Sequence, residues 1–198
     1  MSVKIAMGLG NFGSEYDGTR HNAGVFLLRK LAARCGAEFS YEKYCQAHIA
    51  RAQICGAGLV LAFSDSYMNL SGESLKKILR FFKTPLAECA VISDDITLEP
   101  GRLKLSRGGS SGGHNGLGDI IEKCGNDFIR IRAGVGAKPD KRMDLADYVL
   151  GRPTAEDAEK IASADIWGCM SLLLTKGFEG AQNEVNRRAG TGTDSAAS

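Results

Sequence analysis

Short apolar runs with strand character take turns with amphipathic stretches of helical spacing along almost the whole chain. A chain that alternates in this way buries its strands most readily in one sheet with helices laid against it. Residues 3–9 form a β-rich run stopped by glycine and read as a buried strand. From Asn22 to Cys35, Val25, Leu28, Leu31 and Ala32 recur at helical spacing, and Gly36 supplies a stop signal. Residues 45–54 alternate, and Gly56-Ala57-Gly58 separates them from the apolar run 59–63, which predicts a hairpin. After Ser71, Leu75, Ile78, Leu79 and Phe82 share one face of a helix that ends before Pro85. Further strands are expected at 90–93, 102–106 and 128–135, a short helix at 117–123, and closing helices at 155–174 and 178–188. The expected fold class is α/β: a single-domain three-layer sandwich over residues 1–188, with a mixed, mostly parallel central sheet flanked by helices. A length of 198 residues with 43 % apolar side chains suits one sizeable core. The small, polar tail 189–198 is expected to be disordered.

No apolar run reaches the roughly eighteen residues of a membrane helix, and the first residues lack the pattern of a secretory leader. The chain is therefore expected to be cytoplasmic, with no membrane partner. Six cysteines, at 35, 45, 55, 89, 124 and 169, contain no Cys-x-x-Cys pair and no histidine at finger-like spacing. They read as small buried side chains in a reducing compartment rather than as metal ligands. Net charge is only +2, but residues 102–142 carry nine basic side chains against four acidic ones. Such a segment suits a phosphate-bearing partner, although a solvated surface produces similar counts.

Glycine is in surplus, 25 of 198 residues, and it is clustered. Five glycines fall between positions 8 and 24 and six between 108 and 118, where the backbone must go where side chains would obstruct it. Gly8-Leu9-Gly10-Asn11-Phe12-Gly13 fits the dinucleotide-binding pattern after a strand. That pattern needs a helix opening at its third glycine. Here Asp17-Gly18 is a turn signal that delays any helix to about Asn22, so the dinucleotide reading fails.

What the first cluster exposes is polar: Asn11, Tyr16, Thr19, Arg20, His21 and Asn22. His21 could serve as a general base or as a structural hydrogen-bonding group. Asp94 or Asp95, at the end of another strand, could orient it, and Asp95 reads better as a turn residue. With no nucleophile elbow and no metal-ligand set in view, direct attack by water is the simplest chemistry. Asn11, Asn69 and Asn115 are amides able to hold a carbonyl or oxyanion. Asn69 and Asn115 each precede a helix, so capping competes with that role. The dipeptide His-Asn occurs twice, at His21-Asn22 and His114-Asn115, once in each glycine cluster.

Together these blocks resemble one family. Gly8-Leu9-Gly10-Asn11 with Thr19-Arg20-His21-Asn22, Tyr67-Met68-Asn69-Leu70-Ser71-Gly72, Asp94-Asp95 with Pro100-Gly101, Gly112-Gly113-His114-Asn115-Gly116 and Tyr148-Val149-Leu150-Gly151 look like bacterial-type peptidyl-tRNA hydrolase. The resemblance runs in order over residues 3–188 and implies hydrolysis of the ester between a peptide and the 3′ ribose of tRNA. By matching positions, His21 would activate water, Asp94 would keep it basic, and Asn11 would favour substrates with a blocked amino group. Tyr16, Tyr67, Asn69 and Asn115 would contact the tRNA end or the peptide. Lys104, Arg107 and Arg132 would be candidates for acceptor-stem phosphates. The family implies no cofactor, no metal and a monomer. A non-catalytic RNA-binding relative of the organellar splicing-factor type is the alternative. Three departures stand out: Phe12 replaces a usual proline, Asp65-Ser66 stands where relatives often carry a proline-threonine pair, and Ser106 replaces a frequent basic residue.

Overall fold

The computed structural model describes residues 2–188, so the expected disordered tail lies outside the described residues. Its strands are β1 (Ile5–Gly8), β2 (Ser40–Glu42), β3 (Ala47–Ile54), β4 (Ala57–Ser64), β5 (Cys89–Asp95), β6 (Leu103–Arg107) and β7 (Ile129–Gly134). Its helices are α1 (Ala23–Arg34), α2 (Ser71–Phe81), α3 (Asn115–Cys124), α4 (Leu145–Leu150), α5 (Ala155–Ser163) and α6 (Ile166–Arg188). The strands form one sheet in the order β2-β3-β4-β1-β5-β7-β6. The central four run parallel, and β2, β3 and β6 add antiparallel edges.

Both faces are covered because strand side chains alternate between them. Ala6, Ala90 and Ile92 pack toward Leu27, Leu28 and Leu31 of α1 and Met170 and Leu173 of α6. Their sequence neighbours Ile5, Met7 and Val91 pack the other way, onto Leu75 and Ile78 of α2 and Leu117 and Ile120 of α3. Burying each such Leu or Ile stabilises the fold by about 1.5–3 kcal/mol relative to leaving it exposed. The central strands are thus apolar on both faces, as expected of parallel strands between two helical layers.

The helix that the dinucleotide pattern would open at Gly13 starts instead at Ala23, after a turn in which Gly18 has φ +76°. Once begun, α1 presses closely on the sheet. A Cβ at Gly24 would lie 2.3 Å from the Ile92 carbonyl oxygen, so only glycine fits there.

Four features differ from expectation. Residues 155–174 are not one helix: α5 ends at Ser163, and the Asp165 carboxylate accepts a 2.8 Å hydrogen bond from the Gly168 amide to start α6. The break expected between 174 and 178 is a bend inside α6 at Gly177, where φ is +70°. Strand β2 and helix α4, three and six residues long, are too short for a periodic signal and went unpredicted. The cysteines are all free, but only Cys45, Cys89 and Cys169 are fully buried, while Cys55 is exposed in the β3–β4 turn. Among the described residues, no helix is long and apolar enough to cross a membrane.

Candidate active site

A cleft of about 900 Å³ opens where β1 and β5 end, roofed by the loops that leave them. Parallel strands place their carboxyl ends side by side, so residues distant in sequence meet there. His21 arrives on the one-turn helix Arg20–Asn22 and Asp94 on the last residues of β5. His114 comes from the glycine-rich segment before α3.

All three are nearly enclosed, with side chains 8 %, 3 % and 9 % exposed for His21, Asp94 and His114. His21 Nδ1 lies 2.8 Å from Asp94 Oδ1, and His114 Nε2 lies 3.0 Å from the same oxygen. The tautomer of His114 is set from outside: its Nδ1 accepts the Gly116 and Leu117 amides as the N-cap of α3, at 3.1 and 3.3 Å. Its proton must therefore sit on Nε2 and point at Asp94. Burial alone would raise the Asp94 carboxyl, but the hydrogen bonds from His114 and His21 outweigh it and hold its pKa well below the usual carboxylate range. A carboxylate that stays ionised accepts the Nδ1 proton of His21, which leaves His21 Nε2 with a lone pair.

His21, Asp94 and His114 lie close enough to be considered as ligands for a cation. Their hydrogen-bond inventory does not suit one. The atoms that face each other are two imidazole N–H groups on one carboxylate oxygen, and the free lone pair of His114 is already spent on the helix cap.

The asparagines divide their amides between structure and cleft. Asn11 and Asn22 exchange two hydrogen bonds: the Asn11 amide donates to Asn22 Oδ1 at 2.8 Å, and Asn22 Nδ2 donates to the Asn11 carbonyl at 3.0 Å. The side-chain oxygen of Asn11 accepts the Met68 amide at 2.8 Å, so what it offers the cleft is its Nδ2 donor. Asn69 and Asn115 are exposed and line the cleft, and neither caps a helix. The cap considered for Asn115 is instead its neighbour His114, because the helix begins at Asn115 itself rather than at the expected position 117. Tyr16 and Tyr67 meet edge to face, with ring centroids 6.4 Å apart, but they lie outside the cleft lining.

Two rims frame the opening. One is the segment 108–113, in which Gly108, Gly109, Gly112 and Gly113 all have positive φ. Arg130 ties it down: its guanidinium donates to the Gly109 and Ser110 carbonyls at 2.7 and 2.6 Å and to Asn126 Oδ1 at 2.5 Å. The other rim is α4, which contributes Leu145, Ala146, Val149 and Leu150.

Comparison with known proteins agrees with this geometry. Residues 5–193 match the family model described as peptidyl-tRNA hydrolase. The chain belongs to the peptidyl-tRNA hydrolase family. It is 38 % identical over 188 residues to the peptidyl-tRNA hydrolase of Actinobacillus pleuropneumoniae, covering 93 % of this chain and 96 % of that one. It is 40 % identical over 185 residues to that of Lachnospira eligens, with 92 % and 98 % coverage. The crystal structure of peptidyl-tRNA hydrolase from Acinetobacter baumannii superposes with a TM-score of 0.86 at 31 % identity, covering 93 % of this chain and 94 % of that chain.

One of the expected departures, Phe12, has a structural explanation. The Phe12 amide donates to the Ser66 carbonyl at 3.1 Å, a bond that proline could not make. The loop carrying Asn11 is thus tied by a hydrogen bond where a proline would supply only a fixed φ. No comparable replacement exists for Ser106. Arg107 lines the cleft, but its guanidinium is drawn to the Ala87 carbonyl and Asp127 and lies over Phe178. Arg132 is ion-paired with Asp95, while Lys104 lies beside it on β6 and outside the cleft lining. The turn role expected of Asp95 holds in part, since it also accepts the Thr97 amide at 2.8 Å. The residue that sequence reasoning left without a role is His114. The only hint was the repeated His-Asn dipeptide. The assembled His–Asp pair gives the non-catalytic alternative no support.

Proposed function

We propose that His21 and Asp94 run the chemistry of this cleft on an ester held by the three asparagines. As a member of its family the chain hydrolyses the bond between the peptide carboxyl and the 3′-terminal ribose of peptidyl-tRNA. The observation that carries the assignment is the bond between His21 Nδ1 and Asp94 Oδ1, which leaves Nε2 as the basic atom at the cleft.

Water hydrogen-bonded to His21 Nε2 gives up a proton to it, and the oxygen attacks the ester carbonyl carbon. Negative charge collects on the carbonyl oxygen, where the Nδ2 donor of Asn11 and the amides of Asn69 and Asn115 can meet it. The carbon–oxygen bond to the ribose then breaks, and the proton on Nε2 passes to the departing ribose oxygen. Free tRNA and the peptide leave, the new carboxylic acid of the peptide losing its remaining water-derived proton to solvent, with nothing consumed but water. Asp94 keeps the imidazole oriented and stabilises its transient positive charge.

Asn11 discriminates for a blocked amino group, and Tyr16 and Tyr67 extend the surface for the substrate's end. Lys104, Arg107 and Arg132 serve the acceptor-stem phosphates, a kind of contact that binds many tRNAs without reading sequence. The enzyme needs no cofactor or metal, works as a cytoplasmic monomer, and uses residues 1–188 as one domain.

The test is to incubate the purified chain with N-acetyl-aminoacyl-tRNA and with the same aminoacyl-tRNA bearing a free amino group. Release of tRNA from the first and sparing of the second is expected. No release from either would overturn the assignment.

A further inference from the structure

The catalytic turn is held from both sides by its own sequence neighbours. Asn22 bonds it to Asn11, and through Asn11 to the Met68 amide. Arg20 reaches the opposite way. Its backbone amide donates to the Gly151 carbonyl at 3.1 Å, and its Nη1 donates to the Arg152 carbonyl at 3.0 Å and the Tyr148 carbonyl at 3.3 Å. Its guanidinium carbon sits 4.1 Å above the centre of the Tyr148 ring. Tyr148 is itself buried, and its hydroxyl donates to the Gly136 and Ala137 carbonyls, 3.0 Å from each, at the exit of β7.

The Arg20 contacts connect residues more than a hundred positions apart, and all of them end on α4 or the residues directly after it. Helix α4 is only six residues long, so its own hydrogen bonds cannot fix its position. Arg20 joins this wall to the catalytic turn, and the Tyr148 hydroxyl joins it to the exit of β7, so a shift of α4 would be felt at the residue preceding the base.

We infer that Arg20 is a positioning residue that couples the α4 wall to His21, so that the base is aligned when α4 is seated. The inference rests on the proposed role of His21, and its test keeps the two separable. A planar guanidinium makes both the carbonyl contacts and the ring contact, whereas an ammonium can make only part of them. Small misplacement of a catalytic group can cost up to about a hundredfold in rate.

The experiment compares the wild type with Arg20→Met, Arg20→Lys, Tyr148→Leu and the double variant Arg20→Met/Tyr148→Leu. Kinetics on N-acetyl-aminoacyl-tRNA are read beside the ring-nitrogen NMR signals of His21. Arg20→Met is expected to lower kcat on the order of tenfold or more, with KM within about twofold, and to perturb the His21 signals. Arg20→Lys should recover part of the loss, and the double variant should be little worse than the worse single one. An unchanged kcat and unmoved His21 signals in folded Arg20→Met would overturn the coupling. So would additive losses in the double variant. If the wild type failed to hydrolyse the substrate, the role of His21 would fall, while the NMR comparison would still decide whether Arg20 positions the ring.

Discussion

His21 and His114 share a carboxylate oxygen and a following asparagine, and their ring centres are 4.8 Å apart, yet they present opposite nitrogens to it. His21 uses Nδ1 and keeps Nε2 for the cleft. His114 uses Nε2 because its Nδ1 is committed to two amides at the start of α3. The backbone around each ring decides the difference. A one-turn helix carries His21 with its Nδ1 against Asp94 of β5, whereas glycines with positive φ precede His114, whose Nδ1 turns back onto its own helix. Of two similar imidazoles, one is therefore left chemically open and the other is closed. A buried aspartate with two N–H donors on one oxygen has its charge stabilised by hydrogen bonds, and it holds both rings at once.

The sharpest way to break this comparison is to remove each ring in turn. His21→Ala should lower turnover of N-acetyl-aminoacyl-tRNA by about a hundredfold or more, the range a general base supplies, in a protein that still folds. His114→Ala should lower it far less, because Asp94 keeps one donor and His21 keeps its orienting partner. Equal losses would mean that the two histidines act as one unit.

Next in size is the carboxylate between them. Asp94→Asn should lower the rate by roughly a hundredfold or more, since a neutral amide cannot stabilise the imidazolium and can favour the wrong tautomer. Asp95→Asn should change it little, because Asp95 faces Arg132 and the Thr97 amide rather than either ring. The reverse ranking would move the orienting role one residue along the strand.

Much of this was legible in the sequence, for physical reasons. The strands and α1–α3 declare themselves because burying one face forces a period of two or of 3.6 residues on the side chains. His21, Asp94 and Asn11 were legible because they crowd the ends of apolar runs, where α/β proteins place their sites. His114 was not, because no local rule says which ring nitrogen a cap will consume; that depends on where α3 starts, two residues earlier than the expected position 117. The ties on Arg107 and Arg132 were hidden too. Charge counts over 102–142 cannot show that Asp127 and Asp95 meet those guanidiniums in space. The reach of Arg20 to residues 148–152 is of the same kind, a contact made by the fold rather than by neighbours in the chain.

The smallest expected effects are on stability, and they test the closed half of the pair. Removing the His114 ring takes away the cap of α3, a loss of about 1 kcal/mol and at most about 2. His114→Asn, which can cap with its side-chain oxygen, should restore most of that in urea unfolding. Asp94 should also write its own pH signature. Its carboxyl is held below the usual range in the folded protein, whereas an unfolded aspartate titrates near pH ~3.9. Its contribution is therefore fully present above about pH 4 and drains away as pH falls further toward the folded value. The stability gap between wild type and Asp94→Asn should hold steady from neutral pH down to about 5 and narrow below about 4. A gap that stayed constant to pH 3 would show that the two ring donors do not hold the carboxylate ionised, and the tautomer assignment of both histidines would lose its support.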